Sequence, residues 1–199
     1  MNQTRYENVS SESERLILVD ENDNEIGTIS KADAHDADGT LHRAFSLFIF
    51  NDKGELLLQR RSKEKRLWGG YWSNSCCSHP RAGEEMGEAV QRRLEQELGI
   101  NAKLEYVYKF IYQADFEGMG AEHELCWVYV GTSNDAVQAN QAEIDEWKWI
   151  SRDVLEAEIA GNPNQFTPWF KLEWERLKHE FSDRLAQLEC PRSSRLSAQ

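Results

Sequence analysis

The chain has 199 residues, of which 40% are hydrophobic and 29% charged, a size and balance suited to one domain with a real core. Its 23 Lys and Arg against 35 Asp and Glu leave a formal net charge of −12. That charge argues against nucleic-acid or anionic-membrane partners, but a small anionic ligand can still be held by local basic residues. No apolar run reaches the roughly 18 residues of a membrane span, and the N-terminus lacks the apolar core of a signal peptide.

In chain order, residues 1–14 read as a flexible polar segment. RLILVD (15–20) is expected as a strand, paired through the turn ENDN with EIGTIS (25–30). KADAHDADGTL (31–41) reads as a loop. HRAFSLFIFN (42–51) is too short for a membrane and rich in Phe and Ile, so it is expected as a buried strand, turning at DKG into ELLLQRRS (55–62). WGGYWSNSCCSHP (68–80) reads as a hairpin-like unit leading into a helix, GEEMGEAVQRRLEQELGI (83–100). Glu84 and Glu85 suit the positive N-terminal end of that helix, Gly99 suits its C-cap, and Met86, Val90 and Leu94 form its apolar stripe. KLEYVYKFIYQADF (103–116), EHELCWVYVGT (122–132) and AEIDEWKWIS (142–151) are expected strands. RDVLEAEIAGNP (152–163) is a short helix, FTPWFKLEWERLKHEFSDRLAQLE (166–189) one long amphipathic helix, and CPRSSRLSAQ (190–199) a tail. The sum is an α+β fold with a mixed sheet in one domain over 15–189.

Spacing alone reads Arg93, Gln96 and Glu97 as a solvated helix face. His35 and His42 flank a loop containing Gly39. Glu122 and Glu124, two apart on a strand, share a face, and His123 points the other way. Three imidazoles, His35, His42 and His79, with these two carboxylates make a five-ligand divalent site whose nitrogen and oxygen donors suit manganese, magnesium or zinc. Cys77 shares the face of His79 in an extended segment, while Cys76 faces packing. The four cysteines, Cys76, Cys77, Cys126 and Cys190, match neither a disulfide framework nor a zinc motif and read as reduced thiols of a cytoplasmic protein. RRSKEKR (60–66) is a basic run with two readings, a solvated loop or an anion clamp.

EEMGEAVQRRLEQELGI resembles a Nudix box in which Ser78 stands at the first glycine, Arg93 at the Arg-Glu glutamate and Gln96 at the first of the Glu-Glu pair, while Glu84, Arg92, Glu97 and Gly99 remain. Together with KADAHDADGTLHRAFS, WGGYWSNSCCSHP and EHELC, it resembles type I isopentenyl-diphosphate isomerases of the Nudix superfamily, from about Leu16 to Trp169. The resemblance implies a Nudix-like fold with extra N-terminal strands and a C-terminal helix. It implies interconversion of isopentenyl and dimethylallyl diphosphates. It places a first divalent metal (Mn2+, Mg2+ or Zn2+) on His35, His42, His79, Glu122 and Glu124, and a substrate-bound Mg2+ on Glu97 and the carbonyl of Cys77. Cys77 and Glu124 become the acid–base pair, with Tyr112 beside the glutamate, Trp169 over the hydrocarbon, and Lys31, Arg61 and Lys65 at the diphosphate. A small-molecule diphosphate is the expected partner, and the chain a monomer or small homo-oligomer. Two other readings stay open: a Nudix hydrolase, which lacks its glutamates here, and a non-catalytic diphosphate-binding module.

Overall fold

The computed structural model describes residues 8–189; the first seven residues, Cys190 and the tail 190–199 lie outside the described residues. Strands β1 (Arg15–Val19) and β2 (Glu25–Ser30) form the expected antiparallel pair. The next segment opens with a short helix α1 (Lys31–Ala34), which the sequence reading had as loop. Ser30 caps it, its hydroxyl accepting from the Asp33 amide. His35 then sits at the helix end, with Nδ1 2.7 Å from the Lys31 carbonyl.

β3 (His42–Phe50) is the central strand. Its neighbour β8 (Ala121–Thr132) runs parallel to it with His42 opposite Glu124, while β6 (Cys76–Ser78) runs antiparallel with Ser46 opposite Cys77. β7 (Lys103–Asp115) closes that side of the sheet on β8, with Tyr112 opposite Glu124. On the other side lie β4 (Leu56–Arg61), β5 (Trp72–Ser73) and β9 (Ile144–Ile150). The hairpin expected over 68–80 does not form. β5 pairs with β4 and β6 with β3, because the buried Ser73-Asn74-Ser75 link spends its polar atoms elsewhere: Ser75 Oγ donates to the Leu57 carbonyl and Asn74 Nδ2 to the Cys76 carbonyl.

Helices cover both faces, as β3 requires, being buried at every residue from Ala44 to Phe50. Phe45, Leu47 and Ile49 pack with Ala89, Val90, Leu94 and Leu98 of α2 (Met86–Leu98), which ends at Gly99 with φ +64°. Ala44, Phe48 and Phe50 pack on the opposite face with Phe170, Trp174 and Leu177 of α4 (Pro168–Glu180) and with Leu155 of α3 (Arg152–Gly161). Each such aromatic or aliphatic side chain contributes about 1.5–3 kcal/mol by leaving water. The long C-terminal helix is two helices: α4 ends at Phe181, whose ring stacks on Tyr108 at 5.0 Å, and α5 (Ser182–Glu189) returns Leu185 to the same core. The expected solvated face of α2 is also overturned, since Arg93 and Glu97 are 1% and 2% exposed. They form a buried i,i+4 ion pair, each compensating the other's lost hydration. Among the described residues no helix is long and apolar enough to cross a membrane.

Candidate active site

Register builds the site. Tyr112, Glu124 and His42 stand in one row across β7, β8 and β3. Glu122, two residues back on β8, shares the face of Glu124, and α1 and the segment after β6 bring His35 and His79 to the same point. The five ligand atoms of His35, His42, His79, Glu122 and Glu124 lie within 4.8 Å of one another. His79 Nε2 is 2.8 Å from Glu124 Oε1, His35 Nε2 is 2.8 Å from Glu122 Oε2, and His42 Nε2 is 3.7 Å from Glu124 Oε1.

The other ring nitrogens of two of these histidines are already used. His35 Nδ1 meets the Lys31 carbonyl, and His42 Nδ1 meets the Thr40 carbonyl at 2.7 Å. That arrangement fixes the tautomer that offers Nε2 as a lone pair, as metal-ligating histidines do. Burial, with the nearby His35 charge, drops His42 to about 4, and burial followed by repulsion from His42 and His35 drives His79 well down, so both rings are neutral bases. Burial opposes the charged form of His35, but Glu122 outweighs it and raises that ring; burial likewise opposes charge on Glu122, and His35 pulls it down to about 2. His42 Nε2 is buried with no hydrogen-bond partner, a costly arrangement that a cation beside it removes. The donor set therefore fits a divalent metal.

Beside this group lies a cavity of about 250 Å³. Cys77, Tyr112, Glu124 and Trp169 line it, as do Lys31, Arg61 and Lys65. Tyr112 donates to Glu124 Oε2 at 2.6 Å. Burial and the neighbouring Glu122 charge push Glu124 well above the usual carboxylate range. Burial pushes the Cys77 thiol up to about 12 against the opposing charge of Arg61, whose Nη1 lies 3.5 Å from Sγ. The same guanidinium stands 5.2 Å from the centre of the Trp169 ring, which Trp68 meets edge-on at 5.2 Å. Cys76 points to the other face and is fully buried among α2 side chains.

Two expected residues stand differently from the rest. Glu97 lies outside the five-ligand group and off the cavity wall, its carboxylate held by Arg93. Lys65 reaches the cavity but is ion-paired with buried Glu143. Burial and the Lys65 charge lower Lys31, which Ser10 Oγ meets at 2.6 Å and Glu12 at 3.2 Å. His123, as expected, faces away and packs on Gly39. Sequence reading missed Arg93, Ser78, Glu143 and the segment carrying Asn8, Ser10 and Glu12, all on the cavity wall. The four-residue step from Arg93 to Glu97 was a signal for the ion pair, but nothing local signalled that it is buried.

Comparison with known proteins agrees with this geometry. The NUDIX domain family model matches residues 40–170. The isopentenyl-diphosphate Delta-isomerase 1 of Photorhabdus laumondii is 45% identical over 174 residues, covering 86% of this chain and 99% of that protein. The isopentenyl-diphosphate Delta-isomerase of Serratia proteamaculans is 47% identical over 157 residues, covering 79% and 87%. A Deinococcus radiodurans crystal structure superposes with a TM-score of 0.61 at 26% identity, covering 74% of this chain and 90% of that one. With nearly whole-length relatives at this identity around one metal-ready, thiol-bearing cavity, the chain belongs to the isopentenyl-diphosphate Delta-isomerase family and is an enzyme of that type on a Nudix fold.

Proposed function

We propose that this chain converts isopentenyl diphosphate to dimethylallyl diphosphate with Cys77 and Glu124 as its two proton carriers. The observation that carries this reading is that a thiol and a carboxyl face one small cavity from different strands. Shifting a double bond needs a proton delivered at one carbon and another removed two carbons away, hence two positioned groups. The intervening tertiary carbocation calls for a dry aromatic wall, and Trp169 supplies a ring face worth on the order of 1–2 kcal/mol. Tyr112 orients Glu124 through its hydroxyl.

His35, His42, His79, Glu122 and Glu124 are the residues that would hold a resident divalent metal, with Mn2+, Mg2+ and Zn2+ all compatible with nitrogen and oxygen donors. Bound there, it would supply a positive charge beside Glu124. Glu97 and the Cys77 carbonyl are assigned to a Mg2+ that arrives with the diphosphate, for which Glu97 has to loosen its pair with Arg93. Lys31, Arg61 and Lys65 orient the substrate through its diphosphate, so that remote binding energy places the hydrocarbon. The catalytic unit is residues 15–189, and the free thiols Cys76, Cys77 and Cys126 suit a cytoplasmic setting.

Incubation with isopentenyl diphosphate in deuterated water tests the reading. Deuterium-labelled dimethylallyl diphosphate without phosphate release is the expected NMR result. Release of phosphate or pyrophosphate would replace it with a hydrolase.

A further inference from the structure

Glu173 is a fully buried carboxyl that no step above uses. It sits on α4, one turn beyond Trp169, on the buried face that also carries Phe170, Trp174 and Leu177. Its carboxyl draws on two uncharged groups, the Ser46 hydroxyl and the Cys126 thiol, the latter 3.4 Å from Oε1. The thiol also lies 3.5 Å from Ser46 Oγ. Oε2 is buried without a partner, and none of the ion pairs found among the described residues involves Glu173.

Its surroundings give this isolated acid meaning. Ser46 on β3 stands opposite Cys77 of β6, and Cys126 follows Glu124 by two residues on the same face of β8. From β7, Tyr108 donates its hydroxyl to the Glu173 main-chain carbonyl at 3.3 Å. Glu173 thus touches the residue paired with Cys77 and the next residue along the Glu124 face of β8, and it does so from the helix that carries the aromatic wall. An ionised carboxylate with no cation in reach would cost several kcal/mol, whereas a carboxylic acid with a hydroxyl and a thiol does not carry that penalty. Burial accordingly pushes its titration up to about 8.

We propose that Glu173 is a positioning residue that works as a neutral carboxylic acid: it pins α4 to β3 and β8 behind Cys77 and Glu124, and so sets where the Trp169 ring stands over the substrate. The proposal rests on the isomerase reading for its kinetic arm. A glutamine has the same shape and also both donates and accepts, so Glu173→Gln keeps the pin. A leucine fills the space but has no polar group.

The test is steady-state kinetics with isopentenyl diphosphate for the metal-loaded wild type, Glu173→Gln and Glu173→Leu. Glu173→Gln should keep at least about a third of kcat. Glu173→Leu should lose about 10–100-fold in kcat with KM moved by less than about threefold, as expected when reacting groups are misplaced by a fraction of an ångström or more. A Glu173→Gln variant as impaired as Glu173→Leu overturns the proposal, because charge is then what matters; so does a Glu173→Leu variant with wild-type kcat. If Glu173→Leu does not fold, the double variant Ser46→Ala, Cys126→Ala removes the partners instead. It should lose at least about fivefold in kcat, and unchanged kcat overturns the pin. An infrared difference spectrum of wild type minus Glu173→Gln at pH 7 is the arm independent of activity. A lost carboxylic-acid carbonyl band supports the neutral acid, and lost carboxylate bands overturn it. A wild type without isomerase activity would sink the preceding reading, and the infrared arm would still decide the state of Glu173.

Discussion

The two faces of the central sheet are made by the same strands and differ completely in chemistry. On β6, Cys77 lines the cavity and its neighbour Cys76 is sealed against α2. On β8, Glu122, Glu124 and Cys126 point toward the site, while Leu125 packs with Ile17 and Val19 behind it. On β3, Ala44 and Ser46 alternate with Phe45 and Leu47. Which side chains reach the cavity is a matter of register. A slip of one residue would bury this thiol and these carboxylates in an apolar core and turn the apolar set toward the cavity.

That contrast can be broken by experiment, beginning with its largest expected effect. Removing divalent metal with a chelator should abolish isomerase activity, and His42→Ala should lower the metal content measured by atomic emission. Full metal occupancy after any two of the five ligands are replaced would break the assigned cluster. Next, Cys77→Ala should slow turnover by about 10²–10⁴-fold while leaving a folded, metal-loaded protein, because a positioned proton carrier is lost. A nearly normal rate would mean that the reactive face is misassigned.

A third measurement sharpens the comparison between reactive face and core. Glu173 titrates at about 8 in the folded protein against 4.5 for an ordinary glutamate. Between those values the folded state holds a proton that the unfolded chain has released, so stability from this group falls as pH rises from about 4.5 to about 8. Glu173→Gln cannot titrate. Its stability relative to wild type should therefore increase over that window, by about 3 kcal/mol at pH 7 and about 5 kcal/mol above pH 8, and level off below about pH 4. Urea unfolding of both proteins at several pH values measures it; a constant gap would show that Glu173 is charged throughout. The smallest effect belongs to the sealed thiol. Cys76→Ala should keep most activity and cost about 1 kcal/mol or less in thermal unfolding, since little volume is lost. A silent Cys76→Ala with an active Cys77→Ala would invert the register.

Much of this was legible in the residues alone. Strand alternation put Cys77 with His79 and Glu122 with Glu124, because side chains on a pleated strand repeat every two residues whatever the strand packs against. Glycine at the end of α2 marked its terminus because a left-handed residue there is cheapest for glycine. The apolar run of β3 announced a strand covered on both sides. The remainder depends on contacts between segments far apart in the chain. Residues 68–80 looked like a hairpin, but β5 and β6 found different partners because Asn74 and Ser75 bond to β3, β4 and β6 rather than closing a turn. The stretch 166–189 had helical periodicity throughout, and the stacking of Phe181 on Tyr108 marks where it divides. The polar face of α2 is buried by the N-terminal segment, where the Val9 carbonyl accepts from Arg93 at 2.5 Å, so a periodicity that local rules assign to solvent became an internal ion pair. Glu173 lay unseen in an amphipathic pattern. Its burial depends on Ser46 and Cys126, 127 and 47 residues earlier in the chain, and no local spacing encodes that meeting.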